Sequence, residues 1–200
     1  MPKVLQLQIS LQVLPQPDIQ RVLLIPDDIN FFELHCIIQL AFGWTNSHSH
    51  EFRIPGKTKE VIGNILNMEE ADMPKVLDSR KIKVREFLKT GSVIQYEYDF
   101  GDSWNHVITV EDILDCAHAA VDPVCISGKG NCPPEDCGSI HGFNELVEAM
   151  KKGKGEVFDD FVVWLGQRYY PEEFDLAVAN HNLKSWKKYA KKWGPNTFPK

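Results

Sequence analysis

From Val4 to Val13 the chain alternates: Leu5, Leu7, Ile9, Leu11 and Val13 fall on one side, Gln6, Gln8, Ser10 and Gln12 on the other. A period of two with one polar face marks a half-buried strand of an antiparallel sheet. Pro15 and Pro17 end it, because neither can donate to a ladder. "RVLLI", residues 21–25, resumes as a second strand, hairpin-paired with the first. The period then changes. In "PDDINFFELHCIIQLAFGW", Phe31, Leu34, Ile38 and Ala41 recur at helical spacing with Ile37 beside them. This predicts an amphipathic helix capped by Asp27 or Asp28 and stopped at Gly43.

"HSHEFRI" reads as a third strand, residues 57–82 as mostly irregular, and "KVREFLKTG" as a short helix ending at Gly91. Alternation returns at residue 94. Ile94, Tyr96, Tyr98 and Phe100 share one face; Trp104, His106, Ile108 and Val110 share another. Matching these faces with a three-residue loop, Gly101-Asp102-Ser103, pairs Phe100 with Trp104, Tyr98 with His106, Tyr96 with Ile108 and Ile94 with Val110. Residues 115–139 read as one long loop rich in Cys, Pro, Gly and acid. Loops longer than about 15 residues in compact domains usually carry function or are disordered. Helical patterns close the chain: "HGFNELVEAMKKG", "EVFDDFVVWLGQR" and "PEEFDLAVANHNLKSWKKYAKKW". Strands, a helix, more strands and then helices predict a single α+β domain, an antiparallel-rich mixed sheet with helices packed on one side.

Composition narrows the function classes. The net charge of −6 argues against a protein that neutralises nucleic acid over its whole surface, leaving only a local basic patch. No run of 18 apolar residues occurs, so no transmembrane helix and no membrane partner are expected. The first residues lack the continuous apolar core of a signal peptide, and a cytoplasmic location is expected. Five cysteines, an odd number, then argue against a disulfide framework.

Four stretches carry a family likeness: "FGWTNSHSHEF", "YEYDFGDSWNHVITVE", "PVCISGKGNCPPEDCGS" and "WLGQRYYPEEFDLAVANHNL". In order and spacing the chain resembles the Ri-plasmid ORF-three-like family over residues 3–185. The resemblance implies a bacterial or archaeal α+β domain over residues 1–185, followed by a basic, aromatic C-terminal extension, 186–200. It implies no established activity; the family's association with mobile elements points to a role near DNA. The chain departs from the family at Cys137 and Ser139, where Val and Gly are usual, and Cys132 is also unusual.

The candidate pocket residues are His48, His50, Asp102, Trp104, His106, Glu135 and Asp136. His48 and His50 are two apart; on a strand both would face one side and reach one divalent metal with a nearby carboxylate. Phe52 and Ile54 on that same face point instead to the rim of a core. Asp99 and His106 fall on opposite strand faces in the expected register, which disfavours a direct pair. Asp102 sits at the loop tip, and Trp104 is expected to pack on Phe100. In "PPEDCG" two prolines stiffen the approach to Glu135 and Asp136, which can coordinate a hard cation, cap the following helix or pin the loop. Cys125, Cys132 and Cys137 lack the C-x2-C spacing of structural zinc sites, although Cys116, His118 and His141 offer further ligands.

Lys184, Lys187, Lys188, Lys191 and Lys192 interleave with Trp186, Tyr189 and Trp193. Either the aromatic stripe docks on the body or the segment forms a patch for nucleic acid or an acidic partner. "GKGN" lacks the phosphate-loop ending, and no G-x-S-x-G elbow occurs. The residues therefore predict a binding or interaction module with a protein or nucleic-acid partner. A metal-dependent hydrolase built on the His/acid pocket and a nucleic-acid binder using the C-terminal lysines are the alternatives. No cofactor is predicted beyond a divalent metal.

Overall fold

The computed structural model describes residues 2–13, 18–57, 59–63, 74–116 and 121–193. The alternating segments form the expected first hairpin, β1 (Lys3–Leu11) and β2 (Ile19–Pro26), with Leu7 opposite Leu23 and Ile9 opposite Arg21. The remaining strands are β3 (His50–Arg53), β4 (Glu60–Gly63), β5 (Lys75–Asp78), β6 (Val93–Tyr98), β7 (Trp104–Asp115) and β8 (Val124–Lys129). They make one sheet in the order β5-β4-β3-β6-β7-β1-β2-β8. Every neighbouring pair is antiparallel except β4 with β5. Helices α1 (Phe31–Phe42), α2 (Ser139–Lys152), α3 (Glu156–Leu165), α4 (Leu176–Leu183) and α5 (Trp186–Lys192) complete a single α+β domain, packing largely against the sheet.

α1 is the centre of the core. Its N-cap is Asn30, not Asp27 or Asp28: the Asn30 side chain accepts from the Glu33 amide while Glu33 accepts from the Asn30 amide. Such a capping box satisfies two end donors at once, which a single aspartate upstream cannot do. Gly43 ends the helix in the left-handed conformation, as expected. Eleven of the twelve helix residues are buried, more than a one-sided stripe allows, because α4 and α5 pack on the helix as well. Three of those buried residues are His35, Cys36 and Gln39.

The other departures have local causes. The 57–82 stretch holds the strands β4 and β5, four residues each and too short to establish a period; residues 58 and 64–73 lie outside the described residues. The 115–139 stretch contains β8 and the end of β7; residues 117–120, with His118, lie outside the description. "KVREFLKTG" forms only one 3-10 turn, Val84–Glu86, with Leu88 buried beneath it. The last helical pattern breaks into α4 and α5, with the Ser185 hydroxyl donating to the Asn182 carbonyl at the break.

The second hairpin shifts by two residues. Tyr98 pairs with Trp104, Tyr96 with His106 and Ile94 with Ile108, around a five-residue loop, 99–103. A two-residue shift preserves the faces, so the alternation could not exclude it. The left-handed positions fall on Asp99 and Ser103 rather than on Gly101. Phe100 is turned out, 48% exposed, and Trp104 packs instead against Trp44 and Phe143.

Candidate metal centre

Three loops meet at one end of the sheet, beyond the ends of its interior strands: residues 44–49 between α1 and β3, 99–103 between β6 and β7, and 130–138 between β8 and α2. Hydrogen bonds tie each to the others. The Trp44 indole donates to the Pro133 carbonyl (3.0 Å), the Asp99 amide to the Ser49 carbonyl (2.9 Å), and the Gly138 amide to Asp102 Oδ2 (3.3 Å). Among the described residues, five non-glycine positions have positive φ: Asn46, Asp99, Ser103, Asp136 and Ser139. Four lie in these loops and Ser139 directly follows the third. Asn and Asp tolerate this conformation better than other side chains, and such backbone is held only where its surroundings over-determine it.

Glu135 is the main fastener. Its Oε1 accepts from the Thr45 amide (2.8 Å), the Thr45 hydroxyl (2.9 Å) and the Tyr98 hydroxyl (2.9 Å). Tyr98 in turn accepts from the Ser47 amide (3.0 Å). Burial and the neighbouring carboxylate raise the Tyr98 hydroxyl far above its ordinary value, so it stays a donor to Glu135.

Beneath the first loop lies a closed hydrogen-bond circuit. The Asn46 amide donates to Gln39 Oε1 (2.8 Å), Gln39 Nε2 to the Tyr96 hydroxyl (3.3 Å), Tyr96 to His35 Nδ1 (2.8 Å), and His35 Nε2 to Asn46 Oδ1 (2.6 Å). The sense is fixed because a backbone amide can only donate. This assigns His35 the Nε2–H tautomer. All four residues are buried, and the circuit pins Asn46 two residues before His48.

The carboxylates converge on His48. Its Nε2 lies 3.1 Å from Asp136 Oδ1, 3.6 Å from Asp99 Oδ2 and 3.9 Å from Glu135 Oε2. That nitrogen is buried, yet makes no hydrogen bond to any of them. Single ligand atoms of His48, Asp99 and Asp136 all lie within 4.8 Å of one another, the one such grouping among the described residues. Ligand bonds of about 2 Å require spacings of this order.

The expected residues are thus distributed. His48, Glu135 and Asp136 come together. His50 does not join them, since His48 precedes β3 and only His50 is in the strand; it stacks on His35 with ring centroids 3.5 Å apart. Burial, then the neighbouring His35, hold His50 far below its ordinary pKa. Asp102 fastens the loop tip to Gly138. Trp104 and His106 are core residues, 2% and 1% exposed. Asp99 was expected as a strand residue and is instead the turn residue that reaches His48. The supporting partners Thr45, Asn46 and Tyr98 left no signal in the spacing. The cysteines are free thiols and, among the described residues, belong to no ligand grouping; burial pushes Cys137 up to about 12.

The three loops that build this centre lie in three of the four stretches that carry the family likeness, and residues 3–178 match the family of plasmid pRiA4b ORF-3-like proteins. The chain belongs to that family. The uncharacterized protein y4hQ of Sinorhizobium fredii (strain NBRC 101917 / NGR234) is 32% identical over 182 residues, covering 89% of this chain and 88% of the relative. The crystal structure of MM3350, a protein of unknown function from Methanosarcina mazei Go1, superimposes with a TM-score of 0.76 at 31% identity, over 88% of this chain and 97% of that one. The family membership therefore extends over the fold and the three site loops together. No helix among the described residues is long and apolar enough to cross a membrane.

Proposed function

We propose that this protein is a binding module organised around one divalent cation, held by His48, Asp99 and Asp136 with Glu135 beside them. The observation that carries the reading is the surroundings of His48 Nε2: a buried nitrogen, three carboxylates within 3.9 Å, and no hydrogen bond to any of them. Three neighbouring carboxylates repel one another, and a cation among them offsets that repulsion while accepting the imidazole lone pair. A nitrogen donor among oxygen donors suits zinc or manganese better than magnesium or calcium. The Asp136 side chain is 73% exposed, so one side of the ion faces solvent and can take a further ligand from a small molecule or a partner.

The test is calorimetric titration of chelator-treated protein with zinc and with manganese. One ion per chain is expected, with affinity at least about tenfold weaker in Asp99→Asn and His48→Ala. Absence of binding in the wild type, or equal affinity in both variants, would overturn the reading.

A further inference from the structure

We propose that the exposed face of α5, together with Lys3 and Lys83, is a docking surface for the phosphate backbone of a nucleic-acid duplex. The reading is independent of the metal centre and draws on a different surface.

The first observation is charge segregation. Residues 184–192 hold five lysines and no acid; without them the chain's net charge of −6 becomes −11. All five lysines are exposed. The second observation is where the aromatics went. Trp186 is buried, and Tyr189 and Trp193 are half-buried with rings 6.3 Å apart. The Trp186 indole donates to Asp122 (3.1 Å), the Trp193 carbonyl accepts from Arg80 (2.9 Å), and the helix packs on α1. The docking expectation therefore holds for the aromatic stripe, and it leaves the lysines on the outer side.

That division selects the partner. Single-stranded nucleic acid is held by bases stacked on exposed aromatic rings. Here the rings are turned inward, so what remains is charge at fixed spacing, the requirement for backbone phosphates of a duplex. The third observation is convergence. Lys3, Lys83 and Lys187, from the start, middle and end of the chain, line one cleft with Trp186. Asp28 and Glu33 line it too; Glu33 is engaged in the α1 capping box, and Asp122 nearby is paired with Lys187 at 3.0 Å. Lys83 Nζ is held over the cleft by the Asp28 carbonyl (2.6 Å), so basic groups from distant segments gather beside Lys187 of α5 on an otherwise acidic protein.

The experiment uses the full chain, fluorescence anisotropy and a labelled DNA duplex of mixed sequence, with the matching single strand and vesicles of anionic lipid as comparisons. Duplex affinity is expected to fall about 100-fold between about 50 and 200 mM salt, the slope for roughly four neutralised phosphates. The double variant Lys188→Glu/Lys191→Glu should bind at least about 30-fold more weakly at the lower salt while its circular dichroism and its cation titration stay unchanged. Lack of duplex binding at low salt, unchanged affinity in that variant, tighter binding of the single strand, or binding to the vesicles alone would each overturn the proposal.

Discussion

His35 and His106 are both fully enclosed, and burial above all takes each down to about 3 from an ordinary 6.5. The sign of the consequence follows from linkage. As pH falls below 6.5 the unfolded chain takes up protons that the folded chain refuses. Stability from these two residues is therefore complete above that value and is lost on acidification, by up to about 2.7 kcal/mol per pH unit. Urea midpoints measured from pH 8 to pH 5 should fall steeply below pH 6.5, and less steeply in His106→Phe. A flat profile would mean that the folded protein accommodates the charge. At this scale the sequence was partly legible. Its acids and histidines included three that the fold brings together, His48, Glu135 and Asp136. It misassigned Asp99, because alternation counts a residue as strand until something ends the strand, and here the end is the aspartate's own left-handed turn.

Elements were read well where a period lasted. β1, β2, α1 and the strands β6 and β7 all carried repeats long enough to recognise. β4, β5 and β8 did not: β4 and β5 have four residues each, and β8 buries one residue in six, so none shows an alternating face. One element boundary constrains the site tightly. A Cβ on Gly142, in the first turn of α2, would lie 1.9 Å from the Cys137 carbonyl oxygen, so that turn and the 135–137 loop are packed backbone to backbone. Gly142→Ala must move one or the other. We expect a loss of at least about 2 kcal/mol in urea unfolding and at least about tenfold weaker zinc binding, since Asp136 rides on the displaced segment. A variant with wild-type affinity for zinc would show that α2 yields and the loop does not.

The whole molecule brings residues 48, 99 and 136 to one point, so a cation held there cross-links three loops that the unfolded chain leaves apart. Binding to the folded state alone stabilises it by about 2.7 kcal/mol at a hundredfold excess over the dissociation constant. For a chain of this size the thermal midpoint should then rise by roughly 5–10 °C with zinc or manganese and fall back on adding chelator; an unmoved midpoint would count against the cation. The α+β class was legible from the order of the patterns, and the long central pairing was not, because nothing local in β1 announces its partner. That pairing also sets a schedule. β1 is made first and finds β2 at once, but its other neighbour, β7, begins only at Trp104, roughly 90 residues after Leu11. At about 5–20 residues per second the ribosome takes on the order of 5–20 s to supply it. Throughout that interval the first hairpin has an unpaired inner edge, so the nascent chain passes through a period of exposure that the finished sheet no longer records.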